Sequence, residues 1–307
     1  MIYLENFVFA CEQTEAKHLY PKDLTPEEVA EGVYRDFSIR AFTGSVYPFD
    51  ILTRHHFERI DCEKITILCG GNGSGKTTAL NVIAEKLGLS RETLFNKGEL
   101  FEQYLEFCRY NVHAFAQQMR KPIPSDSRII VSDDVFQFNL KRREHNDWRL
   151  VKKAEIDDKW YGLQGKQLSI LDDPETWKEQ NRMSKSQYMR KYLGDEEKRE
   201  LSNGESGFQY FVSRIENPGL YLLDEPENSL SLERQIELAD YLVSSARYFE
   251  CQFIIATHSP VFLAMSGAKI YDLDADPVDV KPWTELNGMR EWFNFFMEHR
   301  KEFEGHS

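Results

Sequence analysis

Eight residues constrain this chain more than any other feature: Gly70-Gly71-Asn72-Gly73-Ser74-Gly75-Lys76-Thr77. Before them runs Lys64-Ile65-Thr66-Ile67-Leu68-Cys69, a β-branched, apolar segment that reads as a buried strand. After them, Leu80, Ile83, Ala84 and Leu87 recur at i, i+3, i+4 and i+7, and Gly88 stops the helix. Strand, glycine-rich loop and helix is the context of the pattern G-x-x-x-x-G-K-[ST]. Its glycines let successive N–H groups turn inward onto phosphate oxygens, and the helix N-terminus adds positive potential at the same point. Gly70, Asn72, Gly73, Ser74, Gly75, Lys76, Thr77 and Thr78 are therefore the candidate nucleotide-phosphate residues, with the Lys76 ammonium reaching the outer phosphates. The Thr77 hydroxyl is a candidate Mg²⁺ ligand.

Two further strands end in chemistry. Gly219-Leu220-Tyr221-Leu222-Leu223 leads into Asp224 and Glu225. A strand-end Asp beside a phosphate loop supplies a carboxylate on the Mg²⁺ side, which makes Asp224 the second candidate metal ligand. Glu225 is placed to orient or deprotonate an attacking water. Phe253-Ile254-Ile255-Ala256-Thr257 ends at His258, a candidate hydrogen-bond partner of the γ-phosphate and of that water. Upstream, Leu201-Ser202-Asn203-Gly204-Glu205 precedes a helical pattern of Phe208, Phe211, Val212 and Ile215. Ser202 reads as an N-cap, and Ser202 with Gly204 forms a second anion site.

Together these segments resemble the ABC-type ATPases, and the wording DEPENSLS and ATHSP is similar to the soluble RecF, SMC and OLD-like branch. The resemblance implies an α/β P-loop NTPase of ABC-ATPase type. It would have a mostly parallel core sheet, N-terminal antiparallel strands and a helical insert at about 91–200, all in one ATPase domain spanning 1–307. It further implies ATP and Mg²⁺ as cofactors and an ATP-dependent homodimer. Ser202 and Gly204 of one copy would then meet the γ-phosphate held by Lys76 of the other. The signature departs from LSGGQ at Asn203 and Glu205. The Q-loop glutamine has no clear equivalent; the strand Ile129-Ile130-Val131-Ser132 with Gln137 is the positional candidate, and Tyr47 and Phe49 are candidates for stacking on adenine.

The expected function is an ATP hydrolase whose dimerisation switches an effector on another chain, in prokaryotic defence or DNA repair. The alternatives are the nucleotide-binding subunit of an ABC transporter and a non-hydrolysing nucleotide sensor. The chain of 307 residues carries 51 acidic and 38 basic residues, a net charge of -13, so it has no global attraction to nucleic acid. One stretch, Arg182 to Lys191, holds Arg182, Lys185, Arg190 and Lys191 with no acid among them. It reads as a solvated face or as a contact for nucleic acid or an acidic partner. No run approaches a membrane span, and five cysteines without a CxxC pair read as reduced thiols in a cytoplasmic protein. Strands are expected over Tyr34 to Phe42 and Ile51 to Phe57. One amphipathic helix is expected through Phe101, Tyr104, Leu105, Cys108, Val112 and Phe115, and from Pro282 to Phe303 a terminal helix packed on the core, with a partner-binding helix as the alternative.

Overall fold

The computed structural model describes residues 1–19, 45–95, 97–114, 122–166, 173–193 and 203–304. In chain order the first elements are β1 (Leu4–Val8), α1 (Glu12–Leu19), β2 (Arg59–Asp61), β3 (Ile65–Cys69), α2 (Lys76–Leu87), α3 (Phe101–Phe107), β4 (Arg109–Val112) and β5 (Arg128–Val131). Four helices follow: α4 (Ser132–Gln164), α5 (Pro174–Arg182), α6 (Lys185–Leu193) and α7 (Asn203–Arg214). Then come β6 (Leu220–Asp224), α8 (Leu232–Tyr248), β7 (Gln252–Ala256), α9 (Pro260–Leu263), β8 (Lys269–Asp272), β9 (Asp279–Val280), α10 (Asn287–Glu298) and α11 (Arg300–Glu304).

The main sheet has the order β5-β6-β7-β3-β8-β9, parallel except for β9. Strands β6 and β7 are buried along their whole length, as unbroken apolar runs in a parallel sheet covered on both faces must be. A smaller antiparallel sheet, β2-β1-β4, is tied to it by side chains of β7 and β8: the Tyr271 hydroxyl accepts from the Asp61 amide at 2.9 Å, and Lys269 Nζ donates to the Asp61 carbonyl at 2.9 Å. Gln252, fully buried at the start of β7, accepts hydrogen bonds from the Tyr3 and Leu4 amides at 2.8 and 2.9 Å. It donates to the carbonyls of Leu4 and Glu63 at 2.8 and 3.1 Å. The layered α/β fold with its mixed sheets is the one expected.

Some expected elements are different. Ile51 to Phe57 is not a strand: it forms turns and a 3₁₀ segment at Thr53–His55. The helix that starts at Phe101 stops at Phe107, because Arg109–Val112 pairs antiparallel with β1, a partner about a hundred residues away. Apolar spacing alone did not foresee that pairing. Tyr34 to Phe42 lies outside the described residues. The C-terminal helix exists, but it packs on the core only through Leu286 and Met289; Trp292, Phe293, Phe295 and Phe296 are exposed.

Between the phosphate loop and β6 the chain is mostly helical, and its main element is a single helix, α4, of 33 residues. Its first turn is anchored by buried Asp134 and Val135. Its far end forms a small separate core, in which Ile156, Trp160 and Leu163 pack with Tyr188 of α6. All five cysteines are free thiols. Among the described residues no helix is long and apolar enough to cross a membrane.

Candidate nucleotide site

The phosphate loop leaves β3 and enters α2 in the shape its glycines permit. Gly73 and Gly75 have φ of +84° and +93°, a region that side-chain-bearing residues rarely adopt. A Cβ on Gly75 would also stand 2.8 Å from Leu52 Cδ2. Lys76 is buried, and its Nζ donates to the carbonyls of Gly70 and Gly71 at 2.7 and 2.9 Å. The ammonium is thus folded along its own loop, beside the inward-facing amides. Ser74 Oγ is buried with no hydrogen-bond partner among the described residues. A phosphate oxygen in the loop would satisfy such an orphaned hydroxyl, so the residues present fit a phosphate group. Both carboxylate oxygens of Asp274, just past β8, accept from the Gly71 amide at 2.9 Å and pin the loop where it leaves β3.

Asp224 lies at the end of β6, and the Thr77 hydroxyl donates to its Oδ1 at 3.1 Å. The two residues are 147 positions apart in sequence. Burial, reinforced by Glu225 and Glu227, pushes the Asp224 carboxyl up to about 6 against the hydrogen bond from Thr77 and the charge of Lys76. A hydroxyl and a carboxylate side by side, with no nitrogen or sulfur donor, is a set suited to Mg²⁺.

Glu225 follows with φ 47° and ψ 55°, a left-handed conformation that is costly for a residue with a side chain. Its amide donates to the Ala256 carbonyl at 2.9 Å, and its Oε2 accepts from Asn228 Nδ2 at 2.8 Å. Glu225 lines a cavity of about 550 Å³. The floor of the cavity is the loop from Asn72 to Thr78, and Ile51, Arg54 and His55 form another wall. His258 follows β7, which lies between the strand of the phosphate loop and the strand of Asp224. Its side chain is exposed, with Nδ1 3.4 Å from Glu227 Oε1.

Other expected site residues fall elsewhere. Ser202 lies outside the described residues, and Gly204 sits in the first turn of α7. Phe49 is buried in the core against Tyr104, and Tyr47 packs on Phe101, so neither stacking candidate lines the cavity. Ile51, Arg54 and His55 take that wall instead; they sit in a segment read from the sequence as a strand, so no signal marked them. Gln137 is exposed on α4, while the buried polar residue near it is Asp134, which accepts from the Thr93 and Val131 amides at 2.9 Å. Two of the four charges of the basic stretch are paired within the chain. Lys185 pairs with Asp157 at 2.9 Å, Lys191 pairs with Glu179 at 2.6 Å, and the Arg182 guanidinium lies 5.9 Å from the centre of the Trp177 ring.

The parallel sheet, the phosphate loop between β3 and α2, and the acid-tipped neighbouring strand define a P-loop ATPase fold of the ABC type. A family model described as "AAA domain, putative AbiEii toxin, Type IV TA system" matches residues 99–264, more than half of the chain, and the chain belongs to that family. No curated protein matches it. Among solved structures it is similar to the Smc head bound to the C-winged helix domain of ScpA, at 15% identity over 73% of this chain and 92% of that one, with a TM-score of 0.36. It is also similar to an Smc head domain with an extended coiled coil bound to the C-terminal domain of ScpA derived from Pyrococcus furiosus. There the identity is 13% over 79% of this chain and 95% of that one, with a TM-score of 0.36.

Proposed function

We propose that this chain binds ATP with Mg²⁺ and hydrolyses it, and that residues 1–307 act as one ATPase domain with the helical segment at about 91–200 as its insert. The observation that carries the reading is the hydrogen bond from Thr77 to Asp224 at the foot of the phosphate loop. In this reading the loop amides and Lys76 hold the β- and γ-phosphates, and Ser74 Oγ gains its missing partner. Thr77 and Asp224 hold Mg²⁺, which when bound offsets phosphate charge. Glu225 orients the attacking water and accepts its proton, at the edge of the cavity where its backbone holds it. His258 hydrogen-bonds the γ-phosphate side, and Ile51, Arg54 and His55 take the base. Discharge of the γ-phosphate removes the anion that Lys76 holds.

Hydrolysis in this reading needs a second copy, whose Ser202 and Gly204 close over the γ-phosphate and so make ATP the switch for dimerisation. The switched partner is an effector protein on another chain, and the toxin–antitoxin setting in the family's description supports a role in prokaryotic defence. The test is phosphate release by the full chain with Mg²⁺-ATP, followed against protein concentration. Specific activity is expected to rise with concentration. Absence of nucleotide binding would overturn the assignment, and a flat profile from a protein shown to be monomeric would overturn the dimer.

A further inference from the structure

The residue after Pro226 has a role that no motif assigns. Glu227 is the second residue of the 3₁₀ turn Pro226–Ser229 that follows β6 and Glu225, and its side chain is buried. Its Oε1 accepts from the Thr257 hydroxyl at 2.7 Å and from the His258 amide at 3.0 Å, and lies 3.4 Å from His258 Nδ1. One carboxylate oxygen therefore accepts two hydrogen bonds from consecutive residues past the end of β7 and stands close to a third nitrogen. The other oxygen, Oε2, is buried with no partner among the described residues.

A carboxyl group is an expensive choice for ordinary turn packing. Burying it is costly unless hydrogen bonds compensate, and here one oxygen has none among the described residues. The bonds it does make are concentrated on Thr257 and His258. The turn is braced further on: the Ser259 amide donates to Thr257 Oγ1 at 3.0 Å, and Ser259 Oγ donates to Gln235 Oε1 at 2.8 Å. Gln235 Nε2 in turn donates to the Leu230 carbonyl at 3.2 Å. The loop after Glu225 and the turn carrying His258 are thus clamped together at both ends, through Glu227 at one and Gln235 at the other. His258 Nδ1 stands 3.4 Å from Oε1, just beyond hydrogen-bond contact, and a small rotation of the exposed ring would bring its proton onto that oxygen and aim Nε2 away.

We propose that Glu227 is a positioning residue for the ATPase reaction. It holds the Thr257–His258 turn in place and keeps a proton on His258 Nδ1, so that Nε2 is the atom presented to the γ-phosphate side. The inference rests on the reading of His258 given above and adds a residue through which that histidine acts. Glu227 does not line the cavity beside the phosphate loop.

The experiment is a double-mutant cycle on the full chain, with kcat, KM and ATP affinity measured for wild type, His258→Ala, Glu227→Ala and the double variant. Glu227→Ala is expected to lower kcat to within about threefold of His258→Ala, with ATP affinity unchanged, and the double variant is expected to fall no further. Glu227→Gln keeps an acceptor for Thr257 and His258, and is expected to restore most of the turnover. If the losses multiply, or if ATP affinity falls with kcat, Glu227 supports the fold only and the inference is overturned. A loss in His258→Ala with none in Glu227→Ala overturns this inference alone. Wild-type turnover in His258→Ala overturns the reading of the histidine and this inference with it. Nitrogen-15 spectra of histidine-labelled protein read the same point without activity or a mutant that must fold. The His258 ring is expected to carry its neutral-state proton on Nδ1, and a ring protonated on Nε2 instead overturns the proposal.

Discussion

Thr77 Oγ1 donates to Asp224 Oδ1 at 3.1 Å, so the first turn of the helix after the phosphate loop is tied to the end of a strand from the far half of the chain. The acid is held in a place that penalises its charge. Its carboxyl titrates near 6 in the fold, mainly through burial, against an ordinary value of 3.8. The fold therefore prefers the protonated acid. Asp224 imposes no penalty below about pH 4, and the penalty grows as pH rises and is complete above 6. A shift of about two units is worth about 3 kcal/mol. Metal-free Asp224→Asn protein is expected to melt roughly 3–6 °C above wild type at pH 8. The gap should shrink below pH 6 and vanish near pH 4. Mg²⁺ should stabilise wild type at pH 8 and leave the variant unmoved, as calorimetry with and without the ion would show.

Lys76 is the cation of the phosphate loop, and its Nζ is held by the carbonyls of Gly70 and Gly71. Lys76→Ala removes that charge but keeps the loop amides. ATP binding should weaken strongly and hydrolysis should disappear, measured by equilibrium binding and phosphate release. Unchanged turnover would remove the loop from the site.

Glu225 stands in a left-handed backbone conformation with its carboxylate at the cavity. Glu225→Gln preserves the shape and removes the base, so turnover should fall by about 10²–10⁴-fold. The ATP contacts of Lys76 and Thr77 are untouched, so affinity should be retained. In size-exclusion chromatography with Mg²⁺-ATP the variant should elute as a dimer that wild type forms only transiently. A variant that turns over at the wild-type rate would make Glu225 a strand-end residue and nothing more.

Gly75 combines a φ of +93° with a Cβ position 2.8 Å from Leu52 Cδ2. Gly75→Ala adds backbone strain of about 1–3 kcal/mol and pushes on the Ile51–Leu52 segment at the opposite wall of the cavity. Weaker ATP binding is expected along with a lower melting temperature. A control Gly88→Ala, also at positive φ but with open space around its Cβ, should lose stability alone.

Gln252 makes four hydrogen bonds to backbone groups, three of them buried and on Tyr3 and Leu4 of the small sheet's first segment, the fourth partly buried and on Glu63. Gln252→Ala leaves those groups unpaired, and each costs about 1–3 kcal/mol. Chemical denaturation should show a loss of at least about 3 kcal/mol. Gln252→Glu, which keeps the acceptor but sets a buried carboxyl oxygen against the Leu4 and Glu63 carbonyls, should lose at least as much at neutral pH.

What the sequence by itself determined is what local chemistry encodes. Glycines at 73 and 75 require left-handed backbone, Gly88 ends the helix at a left-handed cap, and unbroken apolar runs mark β3, β6 and β7. Those signals sit within a few residues of their effect, so Lys76, Thr77, Asp224, Glu225 and His258 could be picked out without coordinates. The tertiary structure alone decided which distant groups meet. Arg109–Val112 became a strand because β1 offered it a hydrogen-bonding edge, and the same spacing that looked helical carried no trace of that edge. Ile51, Arg54 and His55 became a wall of the cavity through the packing of a turn on Gly75. The basic charges at 185 and 191 were met by Asp157 and Glu179, whose positions depend on how the helices cross. Glu227 reads in sequence as one more acid after a strand; its meeting with Thr257 and His258 exists only because β6 and β7 lie side by side. Periodicity and turn preference act between near neighbours, whereas the partners of a buried polar group are set by sheet order and register.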